Sequence, residues 1–191
     1  MLSIGISHVV MDLLIFGAVA GVLGTFVMDS LNYLFARTGL LLRIDMRIIG
    51  RMSVGWAQGR FRYRSPSEIQ RVANEQLYGY ITHYAIGVGL AVPYVLGCYL
   101  LFGEHASPVW AIAYGIATTV ASYFFVFPFM GLGLLGRRSP EGIRAPLSSL
   151  ANHLFYGVGI AVVVALMWIM KQVRCNKVMS FSVNDSAQYK L

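Results

Sequence analysis

The chain has 191 residues, of which 57% are hydrophobic and only 12% are charged. Soluble domains carry roughly 25% charged residues, so this composition excludes a soluble globular protein and indicates an integral membrane protein. The formal net charge of +7 comes mostly from arginines between the apolar runs, not from a separate basic domain. We therefore expect no nucleic-acid partner.

Four apolar runs, taken in chain order, set the predicted architecture. They cover residues 13–36, 78–102, 108–134 and 146–170. Each exceeds the roughly 20 helical residues needed to cross a hydrocarbon core, and none alternates polar with apolar residues as a barrel strand does. The sequence predicts an all-α fold, a membrane helical bundle of four transmembrane helices in one domain over residues 1–170. A polar, poorly ordered tail should follow over residues 171–191.

Basic residues are concentrated between the first and second runs and after the third run. Eight arginines lie in the segment 37–77 and three lie in the segment 137–144, out of fifteen Lys and Arg in the whole chain. Short cytoplasmic loops of membrane proteins collect such residues. We expect a multi-pass protein of the bacterial cytoplasmic (inner) membrane, with these loops in the cytoplasm and both termini outside.

The first of these segments contains LLLRIDMRIIGRMSV, in which Arg43, Arg47 and Arg51 recur at four-residue intervals. On a helix they would form one basic stripe, with apolar residues on the other side. This pattern predicts a cytoplasmic amphipathic segment at the membrane interface, with membrane lipids and their anionic head groups as partners. Binding of an anionic substrate by this stripe together with Arg60, Arg62 and Arg64 is the alternative.

Two stretches of the chain are nearly alike. HYAIGVGLAV begins at His83 and HLFYGVGIAV begins at His153, and an Arg-Ser-Pro element precedes each of them. The first and third runs match more faintly, with Gly17 aligned on Gly115. Together these matches predict an internal 2+2 repeat of a helical hairpin, related by an axis along the membrane normal.

Helical spacing indicates which way the two histidines point. His83 and Gly87 are four residues apart, as are His153 and Gly157. Residues at this spacing share a helix face, and small residues on a face let another helix approach closely. We therefore expect both imidazoles to face protein and not lipid. Small-residue faces also permit homo-oligomers.

Depth along the helices predicts one polar intramembrane cluster. At about 1.5 Å per residue from the cytoplasmic ends, Asp29 in the first run lies near the level of both histidines. The predicted members of the cluster are Asp29, His83, His153, Asn152 and Tyr84.

Several distinct short motifs are spread along most of the chain. They include TFVMD ending at Asp29, GRF from Gly59, Glu75 leading into GYITHYAIG, GIATTV, and SSLANHLFYGVG around His153. Over residues 17–165 the sequence resembles a family of small bacterial four-span membrane proteins known only as a domain of unknown function. Tyr80 departs from the family pattern, which has Trp there. The resemblance implies the four-span fold and brings no established activity.

Several functions fit such a cluster. Transport of a small solute, an ion or protons is favoured, because Asp beside His can exchange protons near neutral pH. The alternative is a structural or assembly subunit, whose polar cluster only holds the helices together. A metal site of Asp29, His83 and His153 is a third interpretation. We predict no cofactor and no catalytic residues, and an enzyme is disfavoured because no nucleophile and base pair is recognisable.

Overall fold

The described part of the chain is mainly helical. This computed structural model describes the backbone of residues 2–103 and 106–188 and the side chains of residues 8–103 and 106–173. The main helices are α1 (Leu2–Arg37), α2 (Met46–Ala57), α3 (Glu75–Phe102), α4 (Pro108–Ala121) and α5 (Arg144–Gln188). Within those limits there is no strand, and the all-α prediction is confirmed.

Four helical stretches are long and apolar enough to cross a membrane, as the sequence predicts. They are His8–Arg37, Glu75–Phe102, Pro108–Phe129 and Arg144–Val173. Their exposed sides carry large apolar residues, for example Leu100 and Val109. This is the surface that hydrocarbon requires, since a lipid-facing side chain has no water to contact.

The third stretch is interrupted and ends earlier than predicted. After α4 the chain forms a π turn over Ser122–Val126 and one more helical turn over Phe127–Phe129. Pro128 has no N–H to donate to the preceding turn, which favours such an irregularity. Gly131 then adopts a φ of +81° and ends the helix before residue 134.

The last helix is longer than predicted. The backbone of α5 continues as a helix to Gln188, through most of the segment 171–191, for which the sequence predicts a poorly ordered tail. The remaining tail residues, 189–191, lie outside the described residues.

Glycines determine which helices pack together. A Cβ on Gly21 of α1 would collide with the backbone of α3 at Val88, and Gly115 of α4 lies directly against Gly157 of α5. Helix α1 also packs against α5, whereas α3 and α4 hardly touch. The predicted small-residue faces are confirmed, because Gly87 and Gly157 are both buried. The bundle is therefore open between α3 and α4.

One end of the bundle, here called the basic end, holds the C-terminus of α1, all of α2 and the N-termini of α3 and α5. Asp45 caps α2 by accepting a hydrogen bond from the backbone N–H of Arg47 at 2.9 Å. Gly50 and Gly79 allow α2 and α3 to cross with their backbones in contact. Met52 of α2 is consequently buried, so this amphipathic helix packs on the bundle itself.

The predicted 2+2 repeat stays a prediction. Each half does pair two helices through glycines, α1 with α3 and α4 with α5. The Arg-Ser-Pro elements do not begin spanning helices: Pro66–Glu68 is a single 3-10 turn, and α3 begins only at Glu75.

Candidate functional site: a cavity between α3 and α4

Asp29 and His83 form a hydrogen-bonded pair between α1 and α3. The Nε2 atom of His83 lies 2.9 Å from Oδ1 of Asp29, and their side chains are 13% and 20% exposed. Tyr84 follows His83 and presents its ring edge to the imidazole, with 6.0 Å between ring centroids. Because the carboxylate can only accept when ionised, His83 donates its Nε2–H in this pair.

His153 does not join that pair. Its Nδ1 lies 2.8 Å from the Thr118 hydroxyl, which is 2.6 Å from the carbonyl oxygen of Gly115. One hydroxyl proton cannot serve both partners. When the Thr118 hydroxyl donates to the carbonyl oxygen of Gly115, the Nδ1–H of His153 donates to the Thr118 oxygen. The Nε2 atom of His153 then keeps a free lone pair.

The prediction of one buried cluster of Asp29, His83 and His153 is therefore wrong. His153 and Gly157 lie on the face of α5 that packs against α4, whereas the α1-facing side of α5 carries Asn152. Common depth along a helix does not fix the direction in which a side chain points. In the described part of the chain no three His, Cys, Asp or Glu side chains approach closely enough to hold a metal ion.

Asn152 belongs to a separate polar network at the basic end. Its Oδ1 accepts a hydrogen bond of 2.9 Å from Nδ2 of Asn32, which is 3% exposed. Asn32 also donates to the carbonyl oxygen of Leu42 at 3.0 Å and accepts from the N–H of Ile44 at 3.2 Å. Ser148 accepts from the N–H of Leu42 at 2.9 Å. These bonds fasten the chain between α1 and α2 to the bundle.

The three arginines of the predicted stripe have different surroundings. Arg43 precedes α2 and lies over the Tyr33 ring, with 5.5 Å from Cζ to the centroid. Arg47 is exposed on α2. Arg51 makes a bidentate ion pair with Glu75, with Nε–Oε2 at 2.6 Å and Nη2–Oε1 at 2.8 Å. The hydrogen bond with Glu75, together with the charges of Glu75 and Asp45, raises the pKa of Arg51.

A cavity of about 380 Å³ lies in the gap between α3 and α4, in the half of the bundle nearest the basic end. Its walls are mostly apolar, with Met28, Ile86, Leu90, Val126 and Phe127 among them. Both histidines line it, as do Asn152 and the Ser122–Ser149 hydrogen-bonded pair. Helix α2 contributes Ile49, Met52 and Trp56.

Tyrosines close the gap toward the other end of the bundle. Tyr94 of α3 stacks on Tyr114 of α4, with ring centroids 4.8 Å apart. The Tyr94 hydroxyl donates to the carbonyl oxygen of Ser107, and the Tyr114 hydroxyl donates to the carbonyl oxygen of Leu90, both at 2.8 Å. Tyr156 of α5 donates to the carbonyl oxygen of Gly87 at 2.5 Å. The cavity is thus blocked on that side by packed rings.

The comparison with family models decides the identity of the chain. The model described as Protein of unknown function (DUF2938) matches residues 18–167. The chain belongs to the DUF2938 family. The predicted resemblance to a domain of unknown function is confirmed, and the matched region contains the whole cavity. No curated protein and no solved structure matched the chain.

Three residues that contact or line the site in this DUF2938 protein, Thr118, Asn32 and Trp56, lie outside the predicted polar cluster. Thr118 lies three residues after Gly115 on the α5-facing side of α4, and Asn32 lies three residues after Asp29. Helical spacing alone could have pointed to both. Trp56 is different, because its place in the cavity depends on how α2 crosses α3, which no local pattern encodes.

Proposed function

We propose that the protein binds a small, mostly apolar solute carrying a hydrogen-bond acceptor, and that it moves this solute across the membrane through the gap between α3 and α4. The cavity supports the proposal. Its volume of about 380 Å³ and its apolar walls with a few polar groups are typical of small-molecule sites. The packed tyrosines close the cavity toward one end of the bundle, and a transporter needs such a closure in one of its states.

The Trp56 indole indicates the chemistry of the solute. Its Nε1 is buried and donates to no atom of the described chain. A buried N–H without an acceptor costs free energy, and rotation of the indole toward a bound solute that carries an acceptor would remove that cost. Arg43, which precedes α2, also lines the cavity and favours an acceptor that carries negative charge.

Binding can be tested with bromohexanesulfonate, which has an apolar chain, a sulfonate acceptor and a bromine that quenches tryptophan fluorescence. Replacing the other two tryptophans, Trp110→Phe and Trp168→Phe, leaves Trp56 as the reporter. We expect saturable quenching that is lost in Ala121→Leu, which fills the cavity. It should be kept in Ala117→Leu, which adds the same atoms at an exposed position of α4, one turn away and outside the cavity lining. Unsaturable quenching, equal in both variants, would mean partition into lipid and would refute the proposed site.

Transport has its own readout. The sulfonate is permanently charged, so this probe crosses lipid slowly without a protein. Proteoliposomes containing the wild-type protein or Ala117→Leu should release trapped probe faster than protein-free liposomes, and those with Ala121→Leu should not. Saturable binding without faster release would refute transport and favour the structural or assembly role.

We further propose that the protein lies in the bacterial inner membrane with the basic end in the cytoplasm and both termini outside. The arginines of the segments 37–77 and 137–144 support this orientation. Cysteines can be introduced at Gln70 near the basic end and at Val109 near the other end, both exposed, after Cys98 and Cys175 are replaced by Ser. An impermeant thiol reagent added to intact cells should label position 109. Preferential labelling of position 70 would show that the orientation is the opposite one.

A further inference from the structure

A second concavity lies at the basic end, on the other side of the kinked segment that follows α4. It is a groove of about 840 Å³ between the segment 62–64 and the segment 131–138. Four arginines line it: Arg62, Arg64, Arg137 and Arg138. All four are exposed. None of them belongs to an ion pair among the described side chains, which are Arg51–Glu75, His83–Asp29 and Arg144–Glu141.

Backbone contacts hold the two arginine loops together. The N–H of Tyr63 donates to the carbonyl oxygen of Phe129 at 2.9 Å. Gly131, with its positive φ, lies so close to the backbone of Arg64 that a Cβ would be 2.5 Å from the Arg64 carbonyl carbon. The Arg138 side chain packs over Gly133, and the backbone N–H of Arg138 donates to the carbonyl oxygen of Leu132 at 2.8 Å. These contacts fix the backbone positions from which the four arginines extend.

The groove is amphiphilic. Phe124, Phe129 and Leu134 form its apolar side, and Phe124 and Leu134 are about half exposed, at 48% and 53%. The carboxylate of Glu68 accepts a hydrogen bond of 2.9 Å from the backbone N–H of Arg64. Guanidinium groups bind phosphate oxygens with paired, charge-assisted hydrogen bonds. An apolar wall beside them suits acyl chains.

We propose that this groove is a binding site for an anionic phospholipid, with its phosphate among Arg62, Arg64, Arg137 and Arg138 and its acyl chains along Phe124, Phe129 and Leu134. The site differs from the predicted stripe of Arg43, Arg47 and Arg51, because none of these three arginines lines the groove. It is also independent of the solute cavity, which lies on the opposite side of the kinked segment.

The test is calorimetric titration of the purified full chain in detergent with dihexanoyl phosphatidic acid, with dihexanoyl phosphatidylcholine, and with inorganic diphosphate. We expect phosphatidic acid to bind at least about tenfold more tightly than phosphatidylcholine, since basic residues near a surface add affinity for anionic lipid. Diphosphate, which has the charge but no acyl chains, should bind more weakly than phosphatidic acid.

Matched double variants separate a built site from general surface potential. Arg137→Gln with Arg138→Gln should raise the Kd for phosphatidic acid about tenfold. Arg60→Gln with Arg71→Gln removes the same charge from exposed positions outside the groove and should change it less than about threefold. If the first pair does not fold, Arg62→Gln with Arg64→Gln tests the same groove from the other loop. Equal losses in groove and control variants, no preference over phosphatidylcholine, or equal affinity for diphosphate would overturn the proposal.

Discussion

Asn32 should contribute more to the stability of the bundle than any other single polar side chain in its network. It makes three hydrogen bonds, to Leu42, Ile44 and Asn152, at 3.0, 3.2 and 2.9 Å. Asn152 shares only the last of these. Side-chain hydrogen bonds in membrane proteins contribute about 0.6 kcal/mol each on average, so Asn32→Ala should lower the free energy of unfolding by about 2 kcal/mol and Asn152→Ala by about 0.6 kcal/mol.

The two variants delete the same atoms, so the difference between them reports the hydrogen bonds more than the lost volume. Both positions are buried, at 3% and 8% exposure, which makes the comparison close. Unfolding by sodium dodecyl sulfate in mixed micelles, followed by tryptophan fluorescence, gives the free energies. In the double variant the effects should fall short of additive by the energy of the one shared bond. Equal losses in the two single variants would refute the assignment of Asn32 as the centre of the network.

Gly157→Val should prevent α4 and α5 from packing, because the new side chain would meet the backbone of α4. The yield of folded protein in detergent should therefore fall sharply. Gly89→Val, on the open side of α3, is the control and should leave this yield within about a factor of two. Asp29→Asn should shift the ring-nitrogen NMR signals of His83 and leave those of His153 unchanged, since only His83 contacts this carboxylate. Shifts at both histidines would support the single cluster instead.

Several features follow from the sequence alone. The four apolar runs predict four spanning helices because hydrocarbon requires backbone hydrogen bonds to be made within each helix, whatever the neighbouring helices do. The inward direction of Gly87 and Gly157 follows from the four-residue spacing, since the period of the helix is fixed. The arginine-rich loops are also evident in the sequence, as is the capacity of Asp29 to pair with a histidine.

The tertiary structure decides the partners. His153 meets Thr118 and not Asp29 because α5 presents different faces to α1 and α4, and that rotation results from packing summed over many residues. The gap between α3 and α4 has the same origin: glycines bring α1 to α3 and α4 to α5, and no such contact joins α3 to α4 along the cavity. A linear pattern specifies which side of one helix is small or polar, but the lateral order of helices depends on the fit between all of their surfaces together.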